Sequence, residues 1–147
     1  MYYFGYQFLN NDNASSKVRT KFFNALRFDK DFTTPENKRL FVINALQKLN
    51  DKINIHDFDV VIYPKSRSYL NQYIIKLLGR LVPNWEGYTF DDSNNQKLID
   101  AKNILLIDDV TTTGSTLIEA VRNIRLINKE APIVLFTLIG KKELYED

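Results

Sequence analysis

The chain has 147 residues, 44% of them hydrophobic and 26% charged, which predicts one globular domain over residues 1–147 able to bury a core. Twenty Lys and Arg against eighteen Asp and Glu leave a formal net charge of +2, so no polybasic surface signals obligate nucleic-acid binding. A chain without cysteine has no disulfide, thiol nucleophile, iron–sulfur cluster or cysteine-ligated zinc, and it suits a reducing cytoplasm.

Met1 to Asn10 has no basic region, sustained apolar region or small-residue cleavage site, so it does not read as a signal peptide. The longest uncharged apolar run, 133–140, is about half what a membrane-spanning helix needs. Within the aromatic- and Asn-rich residues 1–32, Phe4, Tyr6 and Phe8 alternate, which predicts a short strand or hairpin arm. Thr34 is placed to cap a helix and Pro35 to begin it, and Leu40, Ile43, Leu46 and Leu49 recur at helical spacing up to about Asn50.

The apolar, β-branched run Phe58 to Tyr63, stopped by Pro64, predicts a buried parallel strand. A helix follows on the stripe Leu70, Tyr73, Ile74, Leu77, Leu78 and Leu81, with Gly79 and Pro83 marking its end. Residues 83–101 are polar and turn-rich, which predicts a long loop with a short strand around Tyr88 to Phe90. A second buried strand, Asn103 to Ile107, runs into Asp108 and Asp109; a helix with Ile118, Val121 and Ile124 on one face follows Thr116, and a third strand spans Ile133 to Ile139. Strands alternating with helices predict an α/β fold with a mostly parallel sheet, covered by helices through right-handed crossovers.

The chemistry is concentrated in Ile104 to Thr116, where a buried strand ends in two carboxylates and a hydroxyl-rich turn opens a helix. Ligands of open parallel sheets sit above the carboxyl ends of strands, so Asp108 and Asp109 are placed to hold ribose hydroxyls or hydrated Mg²⁺. The turn Thr111 to Thr116 offers backbone N–H groups at a helix N-terminus, which suits a phosphate dianion. Thr112, Thr113, Ser115 and Thr116 add hydroxyl donors, and Gly114 permits close approach of the backbone. Capping a helix needs only one such residue, so the complete string points beyond a cap.

This stretch closely resembles the phosphoribosyl-pyrophosphate signature of type I phosphoribosyltransferases: an apolar strand, two acidic residues and a Thr/Gly phosphate loop. Asp108-Asp-Val-Thr-Thr-Thr-Gly-Ser-Thr116 is most similar to the ComF-type branch, whose proteins carry DDV, a variable residue, then TTG and a nearby Thr. Asn71-Gln72 resembles the Asn-Gln of that branch's RGFNQ motif, and Leu26-Arg27-Phe28 its Leu-Lys-Phe element. The resemblance spans about residues 16–140. It departs from the branch in having no cysteine zinc module, in a shorter first loop, and in Ser68-Tyr69-Leu70 where the branch has Arg-Gly-Phe.

The resemblance implies a Rossmann-like three-layer core with a small N-terminal hood from residues 1–33. Asp108 and Asp109 are then the catalytic carboxylates, contacting ribose and holding Mg²⁺ directly or through water. Thr111, Thr112, Thr113, Gly114, Ser115 and Thr116 bind the 5′-phosphate. Lys65, Ser66 and Arg67, in the turn after the first strand, bind pyrophosphate, the alternative for these cations being a solvated surface loop. The implied reaction is Mg²⁺-dependent transfer of ribose 5-phosphate to a nitrogen nucleophile, a nucleobase or related small molecule, with release of pyrophosphate and no covalent protein nucleophile. A second reading is a non-catalytic sensor of phosphoribosyl pyrophosphate or nucleotides, regulating a partner in DNA uptake or defence; a nucleic-acid-binding accessory factor is third.

Other residues take plainer roles. His56 reads as structural or surface. Residues 83–101 stand where a mobile flap is expected, with Trp85, Tyr88 and Lys97 as candidates to enter the site or, for the two aromatics, to cover the core edge. Lys141 and Lys142 read as a solvated end. Tyr2, Tyr3, Phe4, Tyr6 and Phe8 suit stacking on a nucleobase, burial of a small hood or a homodimer interface, the last two being preferred.

Overall fold

Thr34 Oγ1 accepts the Asn37 N–H at 3.1 Å and Pro35 begins the helix that follows, the capping expected from the sequence. The computed structural model describes residues 2–7, 13–63, 67–81, 87–89, 95–110 and 115–140. Its elements are β1 (Tyr2–Gln7), α1 (Asn13–Phe28), α2 (Pro35–Asn50), a 3₁₀ turn at Ile55–Asp57, β2 (Val60–Tyr63), α3 (Tyr69–Leu81), β3 (Gly87–Thr89), α4 (Asn95–Asp100), β4 (Ile104–Val110), α5 (Ser115–Ile127) and β5 (Ile133–Gly140).

The five strands form one sheet in the order β1-β5-β4-β2-β3, and every neighbouring pair is parallel. β4 lies at the centre, buried on both faces, which is why Ile104 to Ile107 read as a continuous apolar run. Leu105 and Ile107 face α1, α2 and α3 together with Leu26, Leu46, Leu49, Leu70, Ile74 and Phe136. Ile104 and Leu106 face the opposite layer, where Leu117, Ala120 and Ile124 of α5 pack with Val60, Ile62 and Leu135. The expected three-layer α/β architecture with a parallel sheet is therefore what the chain forms.

The short strand expected around Phe4 and Tyr6 forms as β1, the sheet's edge strand, Tyr2 pairing with Leu135 and Tyr6 with Ile139. Other local expectations shift, and helix α1 follows β1 within residues 1–32. Tyr2 and Tyr3 are partly buried against the two cores. The side chains of Phe4, Tyr6, Tyr88 and Lys97, together with Phe8, Trp85, Lys141 and Lys142, lie outside what is described. The buried stripe of α5 is Leu117, Ala120 and Ile124, while Ile118 is 40% exposed. On α2, Val42 and Ala45 join Leu46 and Leu49 inside, and Leu40 points outward. In both helices part of the expected stripe is inside, Leu46 and Leu49 in α2 and Ile124 in α5 with Val121 packed against the core, while tertiary contact buries neighbouring positions in place of Leu40 and Ile118.

The strand order creates a crevice. From β2 the chain crosses through α3 to β3 on one side, whereas from β4 it crosses through α5 to β5 on the other. α3 and α5 lie on opposite faces of the sheet, so the connections leaving adjacent strands β2 and β4 diverge. Such a switch point is where open α/β sheets bind ligands.

Candidate functional site

Asp108 and Asp109 occupy that switch point. β4 runs to Val110, further than the apolar pattern alone indicates, so both carboxylates belong to the strand rather than to the turn beyond it. Asp108 is 7% exposed and Asp109 is fully buried. Side chains of successive strand residues point to opposite faces. Asp109 accordingly shares the face of Leu105 and Ile107, and Asp108 that of Leu106.

A buried carboxylate needs a partner, because an uncompensated charge there costs several kcal/mol. Asp109 Oδ2 accepts from Arg27 Nε at 2.7 Å, and its Oδ1 accepts the Val110 N–H at 2.7 Å. Arg27 comes from the last turn of α1, and its guanidinium carbon lies 4.5 Å from the centroid of the Phe28 ring. Asp108 Oδ1 accepts the Asp109 N–H at 2.8 Å and lies 3.5 Å from Asn71 Nδ2, in the first turn of α3. Burial above all, and next the charge of Asp109, push the Asp108 carboxyl up from 3.8 to about 7.

The pair is therefore asymmetric. Asp109 is ion-paired to Arg27, whereas the Asp108 carboxyl is pushed up to about 7. Beside Asp108 in the sheet stands Thr137, also buried, whose Oγ1 is 2.9 Å from the Tyr2 hydroxyl. Thr137 is the polar interruption in the run Ile133 to Gly140, a signal visible in the sequence but not connected there with the site.

Ser115 and Thr116 are exposed in the first turn of α5, which opens at Ser115 rather than after Thr116. Arg67 is exposed just ahead of α3. Thr111, Thr112, Thr113, Gly114, Lys65 and Ser66 lie outside the described residues. His56 is exposed in the 3₁₀ turn, its backbone N–H held by Asn54 Oδ1 at 3.0 Å, and stands apart from the carboxylates as expected of a surface residue. Arg27 and Asn71 entered the sequence reading only as parts of short motifs, with no contact assigned; the structure brings each onto one of the two carboxylates.

Among the described residues no group of three or more His, Cys, Asp or Glu converges as a metal cage. No described helix is long and apolar enough to cross a membrane. No protein-family model matches the chain, and no curated protein does. Among solved structures, the chain is similar to the crystal structure of a purine phosphoribosyltransferase from Pyrococcus horikoshii Ot3, with 15% identity, a TM-score of 0.49, and coverage of 74% of this chain and 90% of that one.

Proposed function

We propose that the chain is a cytoplasmic, Mg²⁺-dependent phosphoribosyltransferase of the type I class. In this reading it binds phosphoribosyl pyrophosphate and transfers ribose 5-phosphate to a nitrogen nucleophile, a nucleobase or related acceptor, releasing pyrophosphate. The observation that carries it is the placement of Asp108 and Asp109 side by side at the carboxyl end of the central strand, at the switch point, with α5 opening five residues after Val110.

In this reading Asp109 and Asp108 hold the ribose hydroxyls, and residues 111–116 receive the 5′-phosphate at the start of α5. Lys65, Ser66 and Arg67, following β2 across the crevice, hold the pyrophosphate. Asp108 and Asp109 would hold Mg²⁺ directly or through water; an ion that keeps several waters would not require a three-residue cage. When bound, Mg²⁺ neutralises the leaving pyrophosphate. The protein's share is alignment: the ribose is fixed from below by the carboxylates while its two phosphate ends are held on opposite sides of the crevice.

A calorimetric titration with phosphoribosyl pyrophosphate, with and without Mg²⁺, tests this before an acceptor is known. Micromolar, Mg²⁺-dependent binding, about −8 kcal/mol, is expected; absence of binding overturns the reading. The Arg27 contact favours one second reading, a ligand sensor, because a ribose hydroxyl arriving at Asp109 competes with Arg27 and loosens the end of α1. Binding without pyrophosphate release across a broad acceptor panel identifies that case.

A further inference from the structure

Lys38, on α2, is buried to 3% exposure, and no carboxylate among the described residues forms an ion pair with it. Its Nζ donates to the Asp29 carbonyl at 2.7 Å and lies 4.4 Å from the centroid of the Tyr69 ring. Removing an ammonium group from water costs free energy that one carbonyl and one ring face only partly offset. An apolar side chain of similar length would fill the space without that cost, so the net stability of the fold does not account for a lysine here.

Its two partners account for it better. Asp29 directly follows the last residue of α1, and its N–H still bonds the Ala25 carbonyl at 2.9 Å, so it moves with the helix end. Apart from Lys38, its own carbonyl receives a 3.4 Å bond from the Phe32 N–H. Tyr69 is the first residue of α3. Two positions before Asp29 is Arg27, which holds Asp109; two positions after Tyr69 is Asn71, which approaches Asp108. One buried cation thus grips the two helix ends that deliver the carboxylates' two side-chain partners.

We propose that Lys38 is a positioning residue for the site: by holding the end of α1 and the start of α3, it sets Arg27 on Asp109 and Asn71 on Asp108. It acts through Arg27 and Asn71, not on substrate. The inference rests on the phosphoribosyl pyrophosphate reading for its affinity readout alone.

The test compares Lys38→Met, which keeps the stem and removes the charge and donor, with Lys38→Arg, which restores both. Two readouts are taken: calorimetric affinity for phosphoribosyl pyrophosphate with Mg²⁺, and the NMR signals of the Arg27 Nε–H and the Asn71 side-chain amide, assigned through Arg27→Lys and Asn71→Asp. In Lys38→Met the affinity is expected to fall about tenfold or more, the scale on which small misplacements of site groups act. The Arg27 signal is expected to move to the position of solvent-exposed arginines, and Lys38→Arg to recover both affinity and signal. Unchanged Arg27 and Asn71 signals in a folded Lys38→Met protein overturn the proposal, whether or not the wild-type chain binds the ligand. A wild-type chain without affinity defeats the functional reading alone, since the NMR arm still decides the role of Lys38. Should Lys38→Met fail to fold, Tyr69→Leu removes the α3 grip; an unmoved Asn71 signal there overturns the proposal equally.

Discussion

Arg27 Nε and Asp109 Oδ2 meet at 2.7 Å across 82 positions of sequence, and this contact lets a fully buried carboxylate stand near the end of the central strand. It ties the last turn of α1 to β4, so the helix most remote from Asp109 in sequence supplies its charged partner.

Arg27→Ala is expected to destabilise the protein by about 1–3 kcal/mol, because Asp109 loses a charged donor in a buried position while water reaches only the Arg27 side of the pair. Asp109→Asn made together with it should recover part of that loss. A double-mutant cycle by urea unfolding measures the coupling, and additive losses would show the pair to be energetically idle.

Asp108→Asn combined with Asp109→Asn should abolish binding of phosphoribosyl pyrophosphate while leaving the far-ultraviolet circular dichroism unchanged, since the backbone of β4 is held by its neighbours on both sides. Calorimetry on the double variant decides, and an undiminished affinity refutes the assignment of the ribose site. Chelating Mg²⁺ from the wild-type protein should have the same effect on binding.

Stability should depend on pH through Asp108. Its carboxyl titrates at about 7 in the folded chain against 3.8 as its ordinary value, so the folded state keeps a proton that the unfolded chain releases first. The stabilisation from this group is complete below the lower value and is lost as pH rises through the window to about 7. Urea midpoints measured across that window should fall with increasing pH, and Asp108→Asn should flatten the slope. An equally steep slope in the variant would place its origin elsewhere.

Gly5→Ala should destabilise the protein by about 1–3 kcal/mol, the usual cost of overpacking. A Cβ at Gly5 would stand 2.7 Å from Ala45 Cβ and 2.9 Å from the Leu138 carbonyl oxygen, neither of which can swing away. Ala45→Gly in the same chain should relieve part of the loss, as read from denaturant midpoints; no relief would mean that the clash is with the β5 backbone alone.

Much of the fold was legible because local physics repeats along the chain. The apolar runs Val60 to Tyr63, Ile104 to Ile107 and Ile133 to Ile139 are strands because both their faces are buried, and a doubly buried strand has no polar alternation to conceal it. α2 was marked by Thr34 and Pro35, whose capping chemistry acts within one turn. Helix α1 was not legible as a helix: its mixed aromatic and basic residues lack a clean stripe, and Leu26 and Phe23, which it buries among the described residues, join the core with α3 only in three dimensions.

The sequence by itself determined the parallel α/β class and the juxtaposition of Asp108, Asp109 and the Thr/Gly turn, because contiguous residues carry periodicity, capping and motif spacing. Only the tertiary structure decided that β1 lies beside β5 at the sheet edge, that Asp109 pairs with Arg27, that Asn71 and Thr137 flank Asp108, and that Lys38 is buried between two helix ends. These are pairings of residues far apart in the chain. Each depends on which faces are buried together, and that balance of burial against desolvation exists only once the whole core has closed.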